Sequence, residues 1–344
     1  MKRESLVFDR PGELQATEPP EARGIERDEV RLLVSTPEGH QHAHFRDLPN
    51  FLREGDVLVV NRSATIPASL KAQGKVGEFT LNLSTHYGRN LWLTEPRWDA
   101  DRPGPLPIDP GDEIELPGTR ARIVAPYPGL PALWFVQAEK SLWGSMGCCG
   151  SPIRYGYVDQ QLPLDAYQTI FAAHPGSAEM PSAARPFTYR VLRALRKKGV
   201  ILASLVLHTG VSSQEVEEED IEEHTLYPEP FHVPYLTASV VNKALRENRR
   251  VIAVGTTVVR ALEAAWNGEE VRPSGGFTRI YVHPGRGIHT VHGLITGLHD
   301  PVTSHLAMLY ALAGEKMIRE AYEEAVREEY LWHEFGDSHL ILTR

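Results

Sequence analysis

The stretch Val251-Ile252-Ala253-Val254-Gly255-Thr256-Thr257-Val258-Val259-Arg260 has residue types that could hold an anion. An apolar strand ends at a glycine, and two threonines open a helix. The first N–H groups of a helix have no intrahelical partner and sit at the positive end of its dipole. An anionic group such as an amino-acid carboxylate can bind there. Arg260 and Glu263 follow about one turn further in, placed to pair with each other or with a ligand. The same pattern also describes a well-capped structural helix.

A second candidate is Leu207-His208-Thr209-Gly210, where a strand gives way to a loop. Ligands of open α/β sheets collect at strand ends, and a histidine there can act as acid or base near neutral pH. A structural hydrogen-bonding role is the plainer reading of His208. Gly176-Ser177-Ala178-Glu179-Met180-Pro181-Ser182-Ala183 is a small-residue loop that allows close approach of a planar ligand, without the glycine spacing of a dinucleotide fingerprint. His289, His292, His299 and His305 are dense in sequence, but no His-Glu-x-x-His occurs, so no metal is expected. Cys148 and Cys149 are adjacent and are the only cysteines. They rarely bridge at that spacing, and two thiols alone do not make a zinc site.

The elements that must position these residues alternate. Residues 46–61 read as a short helix opened by Asp47-Leu48-Pro49-Asn50, a turn at Gly55 and a strand at Val57–Val60. Thr188 is expected to cap a helix to Lys198, before a strand over Val200–Leu207. Thr237 is expected to cap a helix to about Asn248, before a strand at Arg250–Val254. Thr256 or Thr257 then caps a helix through Trp266. A strand at Gly293–Thr296 and helices at about 302–312 and 315–331 complete the pattern. Such alternation indicates an α/β fold with helices flanking a largely parallel sheet.

Residues 68–140 differ. Short strand-like segments near Phe79–Leu83, Leu91–Thr94, Glu113–Leu116, Ala121–Val124 and Ala132–Val136 are separated by Pro and Gly. They predict a small β-barrel domain at 68–140, inserted in a discontinuous α/β domain of 1–67 and 141–344.

A length of 344 residues suits about two domains. The start Met1-Lys2-Arg3-Glu4-Ser5-Leu6 lacks the apolar stretch of a signal peptide, and no run of about 18 apolar residues occurs. A cytoplasmic protein with no membrane partner is expected. The net charge of -9 argues against a surface devoted to nucleic acid. Arg190, Arg193, Arg196, Lys197 and Lys198 form the clearest basic patch, read either as a phosphate contact or as a solvated helix face.

In their order these segments resemble the S-adenosylmethionine:tRNA ribosyltransferase-isomerases of queuosine biosynthesis. The likeness runs from about Asp47 to Leu342. It is carried by Asp47-Leu48-Pro49 with Gly55-Asp56, Asn61 before Ile66-Pro67-Ala68, and Tyr167-Gln168-Thr169 with Pro175-Gly176-Ser177. Phe187-Thr188, Leu207-His208, Ile221-Glu222-Glu223-His224 and Ile252–Thr257 with Arg260 and Glu263 continue it. Pro284-Gly285, Leu294-Ile295-Thr296 with His299 and Pro301, and Gly336-Asp337 complete it.

The resemblance implies that S-adenosylmethionine is a substrate, giving its ribosyl group to the aminomethyl group of a 7-deazaguanine in a tRNA anticodon, where it becomes an epoxycyclopentane. The sulfonium acidifies the adjacent 5′ carbon, so a base can start the reaction without a metal. His208, His299 and Arg260 are then the catalytic candidates. Asn61, Ser182, Phe187, Thr188, Gly210, Gly255, Thr256, Thr257, Glu263 and Thr296 are the candidates for binding substrate.

The chain also departs from the family pattern. Asn-Asp-Thr-Arg reads Asn61-Arg62-Ser63-Ala64, and the histidine of Pro-Thr-Ala-Gly-Leu-His-Phe-Thr is Pro186. The Phe-Arg-Pro stretch is absent near Ser213, His-Ser-Glu reads Tyr227-Pro228-Glu229, and Asn-Phe-His-Leu-Pro reads Gly297-Leu298-His299-Asp300-Pro301. These changes predict that Arg62, Ala64 and Pro186 border the substrate pocket. They keep two alternatives open: a paralogue using S-adenosylmethionine or a related nucleoside on a small molecule, and a non-catalytic nucleoside- or tRNA-binding protein.

Overall fold

A computed structural model of the chain describes residues 1–211 and 215–344; Ser213 lies outside the described residues. In chain order the strands are β1 (Arg31–Thr36), β2 (Gly39–His44), β3 (Val57–Asn61), β4 (Ser63–Thr65), β5 (Ser69–Gly74), β6 (Gly77–His86), β7 (Leu91–Arg97), β8 (Glu113–Leu116), β9 (Thr119–Tyr127) and β10 (Leu130–Ala138). They continue with β11 (His174–Ser177), β12 (Ile201–Leu207), β13 (Glu229–Val233), β14 (Val251–Val254), β15 (Ser274–Thr278), β16 (Gly293–Gly297) and β17 (Ser338–Leu342). The helices are α1 (Leu142–Cys149), α2 (Tyr189–Lys197), α3 (Tyr235–Arg246), α4 (Thr256–Ala264), α5 (Ser304–Ala313) and α6 (Glu315–Arg327).

The main sheet runs β15-β13-β12-β3-β14-β16-β17-β1-β2. Its centre, β12-β3-β14-β16, is parallel. Every residue of β3 and β14 is buried, as their unbroken apolar runs require of strands covered on both faces. The pairings β16–β17, β1–β2, β12–β13 and β13–β15 are antiparallel and β17–β1 is parallel, so the sheet is mixed, with its longest parallel block in the middle. One core joins the sheet to α3, α4, α5 and α6, and another joins its opposite face to α2 and the turn at 45–50.

Strands β5 to β10 close into a barrel in the order β10-β7-β6-β5-β8-β9. The sequence shows five of these strands. The sixth, β5, reads Ser-Leu-Lys-Ala-Gln-Gly and buries only Leu70 and Ala72, too few apolar residues to stand out.

Two helix starts differ from expectation. Pro234 precedes α3, which begins at Tyr235; the Thr237 hydroxyl donates instead to the Ser204 carbonyl. Gly255 stands before α4 at φ 94°, and no side chain caps the helix. Thr256 and Thr257 therefore lie inside the first turn. Only Thr188 caps as expected, its Oγ1 accepting the Val191 N–H at 3.3 Å. The segment expected as a helix near Asp47 is a 3-10 turn over Phe45–Asn50. Among the described residues no helix is long and apolar enough to cross a membrane.

Candidate active site

The C-terminal ends of β12, β14 and β16 face the barrel across a cavity of about 480 Å³. That size suits a small-molecule site. The sheet side supplies Ser182, Thr209, Gly255, Thr256, Thr257, Arg260, Thr296 and His299, and the barrel supplies Glu95, Arg97 and Leu133.

At one end α4 begins without a side-chain cap, and no acceptor among the described residues takes the N–H groups of Thr256 and Thr257. Arg260 is nine-tenths buried. Its Nε donates to the Ile280 carbonyl at 3.1 Å, its Nη1 pairs with Glu229 Oε2, and its buried Nη2 has no partner. Donors without partners at a helix N-terminus, beside a buried guanidinium, are of the kind that can hold a carboxylate. Gly255 is what lets the chain turn here, since its positive φ is a region side-chain-bearing residues avoid.

The wall of the cavity is aromatic and acidic. Tyr155 and Tyr157 stack with centroids 6.1 Å apart, and Tyr157 stacks on His333 at 4.5 Å. Tyr155 donates to Glu179 Oε1. Burial, then the Glu179 charge, pushes the Tyr155 phenol well above its ordinary value. Glu334 faces the cavity yet is surrounded by protein. Burial, then Glu179, raises its carboxyl to about 8, against an opposing pull from Arg185. Arg10 Nε lies 2.8 Å from Asp300 Oδ1, and His333 Nε2 lies 3.3 Å from Asp300 Oδ2. Neither contact has hydrogen-bond angles; Arg10–Asp300 is an ion pair by proximity, while burial holds the His333 imidazole below its ordinary value.

His299 is tied by a 2.7 Å hydrogen bond between its Nε2 and Thr296 Oγ1, and its ring lies 4.7 Å from that of His305. Burial, then His305, His333 and His339, holds the His299 imidazole well below its ordinary value. Burial, then Arg260, brings His305 down to about 4. Both rings are therefore neutral at physiological pH.

Seven of the sequence candidates thus meet at one cavity: Ser182, Gly255, Thr256, Thr257, Arg260, Thr296 and His299. Six lie outside its lining. His208 turns away, sharing a 2.7 Å hydrogen bond between its Nδ1 and Ser63 Oγ and packing on Gly176, where a Cβ would lie 2.6 Å from the ring. Its neighbour Thr209 takes the place at the cavity. Asn61 is fully buried and braces the strand ends: its Oδ1 accepts the N–H groups of Leu207 and Ser63, and its Nδ2 donates to the Leu207 carbonyl and to Thr257 Oγ1. Gly210 gives its N–H to Glu229 Oε1 at 2.8 Å and is walled by Ser84 and Tyr227. Phe187 is core, and Thr188 caps α2 while donating to Asp28.

Glu263 pairs with neither Arg260 nor the cavity. It is fully buried and holds Arg286 at 2.6 Å and the N–H groups of His289 and Thr290. Burial opposes its charge, but these donors more than offset it and keep its carboxyl below its ordinary value.

Of the altered positions, Gly297, Leu298 and Asp300 line the cavity, but the three expected to border it do not. Arg62 is exposed and Ala64 pairs in β4, neither at the cavity. Pro186 lines a small adjoining space shared with Ser182, Ala183 and Glu334. Cavity residues that sequence reasoning did not single out include Arg10, Glu95, Arg97, Tyr155 and Glu334. Arg10 precedes every matched motif, and Glu95 and Arg97 are barrel residues with no local signal. The clustered histidines disperse: His289 stacks on Trp266 and His292 Nδ1 accepts the Val251 N–H. Among the described residues no three His, Cys, Asp or Glu side chains gather as metal ligands would.

Fold and cavity together define an α/β protein with a closed barrel, in which the sheet's strand ends and the barrel enclose a polar cavity of about 480 Å³ with an aromatic wall. A family model described as "Queuosine biosynthesis protein" matches residues 3–341. The chain is 38% identical over 338 residues to an S-adenosylmethionine:tRNA ribosyltransferase-isomerase of Thermus thermophilus, covering 94% of this chain and 97% of that one. It is 37% identical over 347 residues to one of Rubrobacter xylanophilus, covering 99% and 98%. The crystal structure of a Thermotoga maritima S-adenosylmethionine tRNA ribosyltransferase covers 98% of this chain and 100% of its own, with a TM-score of 0.55 and 26% identity. The chain belongs to the queuosine biosynthesis protein family.

Proposed function

We propose that this chain is an S-adenosylmethionine-dependent tRNA ribosyltransferase-isomerase acting on 7-aminomethyl-7-deazaguanine in tRNA. The carrying observation is the anion site formed by the first turn of α4 and Arg260, opening on the same cavity as Tyr155, Tyr157 and His299. S-adenosylmethionine needs a place for a carboxylate and one for a flat base, and this cavity offers both.

In this reading the N–H groups of Thr256 and Thr257, with Arg260, hold the amino-acid carboxylate. Aromatic rings at 155 and 157 flank the adenine side. The sulfonium acidifies the 5′ carbon, and the neutral imidazole of His299, oriented by Thr296, is the proton acceptor. Asn61 and His208 act indirectly, fixing the strand ends that present Thr257 and Thr209. The barrel is in this reading an insertion at 68–140 in an α/β domain of 1–67 and 141–344, and its Glu95 and Arg97, which line the cavity, face the substrate. No metal takes part in this scheme, and a cytoplasmic location, where tRNA is found, goes with it.

Adenine release is the test. The purified chain is incubated with S-adenosylmethionine, with and without tRNA carrying the aminomethyl deazaguanine. Release that requires the tRNA supports the reading. Release without it points to a small-molecule acceptor, and no release in either arm points to a binding protein.

A further inference from the structure

Helix α2 turns one stripe outward. Tyr189, Leu192, Arg193 and Arg196 recur at the spacing of one helix face and line a groove of about 730 Å³ between the helix and the sheet. Tyr189 is 72% exposed. Among the described residues neither Arg193 nor Arg196 pairs with a carboxylate. Arg190, on another face of the helix, is engaged by Asp28 and Glu26 and does not contribute.

The floor of the groove continues across an uncovered part of the sheet. Leu202 pairs with Leu58, and alternation places Val206 on the same face. Val206 pairs with His232, and Pro230, two residues away on that face, pairs with Phe277. Leu202 and Phe277 are each 50% exposed. Phe277 has one side stacked on Tyr87 of the barrel, 5.2 Å between centroids.

Charge decides what this face fits. The segments that build it, 186–206, 230–234 and 271–280, hold seven Lys and Arg and no Asp or Glu. The whole chain has 45 acidic and 36 basic residues. Arg190 is taken by Asp28 and Glu26 and Arg272 by Glu270, and the remaining basic groups still give this face a positive excess on an acidic protein. Such an excess is suited to a polyanion, and exposed aromatic rings beside it suit unstacked bases. The groove also begins close to the cavity, since Ser182 and Ala183 line the cavity and α2 starts at Tyr189.

We propose that the α2 stripe and the open face of β12, β13 and β15 form the docking surface for the RNA strand flanking the modified base, with Arg193 and Arg196 on phosphates and Tyr189 on a base. This rests on the substrate being carried by tRNA.

The test uses the full chain, a fluorescent tRNA and two variants, R193E/R196E and Tyr189→Ala. The charge reversal is expected to weaken tRNA binding at least about tenfold and to lower the slope of log affinity against log salt by about two. KM for tRNA should rise while S-adenosylmethionine affinity, kcat at saturating tRNA and melting temperature stay as in the unaltered chain. Tyr189→Ala should weaken binding severalfold without changing the salt slope. Unchanged tRNA affinity in R193E/R196E overturns the proposal, and so does an unaltered chain that binds no tRNA. Loss of a dimer in sedimentation with tRNA affinity intact also overturns it, assigning the face to a second copy. Tight, salt-dependent tRNA binding that the charge reversal abolishes, without turnover by the unaltered chain, supports the surface while sinking the proposed reaction.

Discussion

Arg260 and Glu229 form a buried ion pair in which each partner has a second duty: Arg260 Nε holds the Ile280 carbonyl, and Glu229 Oε1 takes the Gly210 N–H. The pair ties α4 to the loop after β12. Removing one partner of such a pair leaves an uncompensated buried charge, at about 3–5 kcal/mol. Arg260→Met should lose roughly that in urea unfolding and also bind S-adenosylmethionine weakly. Adding Glu229→Gln should recover much of the stability, because the stranded charge is gone, but not the ligand affinity. Recovery of both would show that Arg260 serves structure alone.

Asn61 should be the most sensitive support of the cavity. Asn61→Ala strands the N–H groups of Leu207 and Ser63, at about 1–3 kcal/mol each when buried. A loss of about 2–4 kcal/mol is expected in urea unfolding, with a further fall in turnover at temperatures where the variant is still folded. A variant as stable as the unaltered chain would contradict the bracing role.

Acid should destabilise the fold through buried histidines. Burial holds His305 and His292 at about 4 and His339 at about 3, against an ordinary 6.5. The unfolded chain takes up those protons first, so their contribution is full above 6.5 and is lost as pH falls toward 4. Each can add up to about 1.4 kcal/mol per pH unit in that window. His305→Gln should flatten the dependence of the urea midpoint between pH 6.5 and 4.5. An unchanged profile would mean that the imidazole is solvated.

Glu334 works in the opposite direction. Its carboxyl is raised to about 8, so its contribution is full below the ordinary 4.5 and is lost as pH rises through 8. Glu334→Gln should melt higher than the unaltered chain at pH 9 and lose this alkaline decline. Equal melting curves from pH 6 to 9 would dismiss a neutral Glu334.

Much of the frame was legible because burial on both faces writes itself as unbroken apolar runs, as in Val57–Val60 and Val251–Val254. The weakly patterned strand β5 was not, since only Leu70 and Ala72 point inward. At the candidate site, the strand-to-helix run from Gly255 to Arg260 was singled out in the sequence beside a purely structural reading, and Gly255, Thr256, Thr257 and Arg260 line the cavity. His208 misled because strand position says that a residue is near a site, while alternation along the strand decides which neighbour faces it. Tyr155, Arg97 and Glu334 reach the cavity from three distant segments with no local pattern, so only tertiary structure assembles them. The altered Arg62 and Ala64 lie away from the cavity and Pro186 only adjoins it, whereas the altered stretch 297–300 lines it, so departure from a family pattern marked the pocket wall at one segment and not at the three positions expected.

The most direct measurement follows the sugar itself. S-adenosylmethionine labelled with ¹³C in its ribose is incubated with tRNA carrying the aminomethyl deazaguanine, in parallel with the Thermus thermophilus relative, and the digested nucleosides are weighed by mass spectrometry. The expected result is a labelled epoxycyclopentane nucleoside in the tRNA, adenine and methionine released in equal amount, and a rate within about tenfold of the relative, a difference under about 1.4 kcal/mol. Consumption of S-adenosylmethionine with no label in the tRNA, or a rate lower by about a thousandfold, would contradict the account.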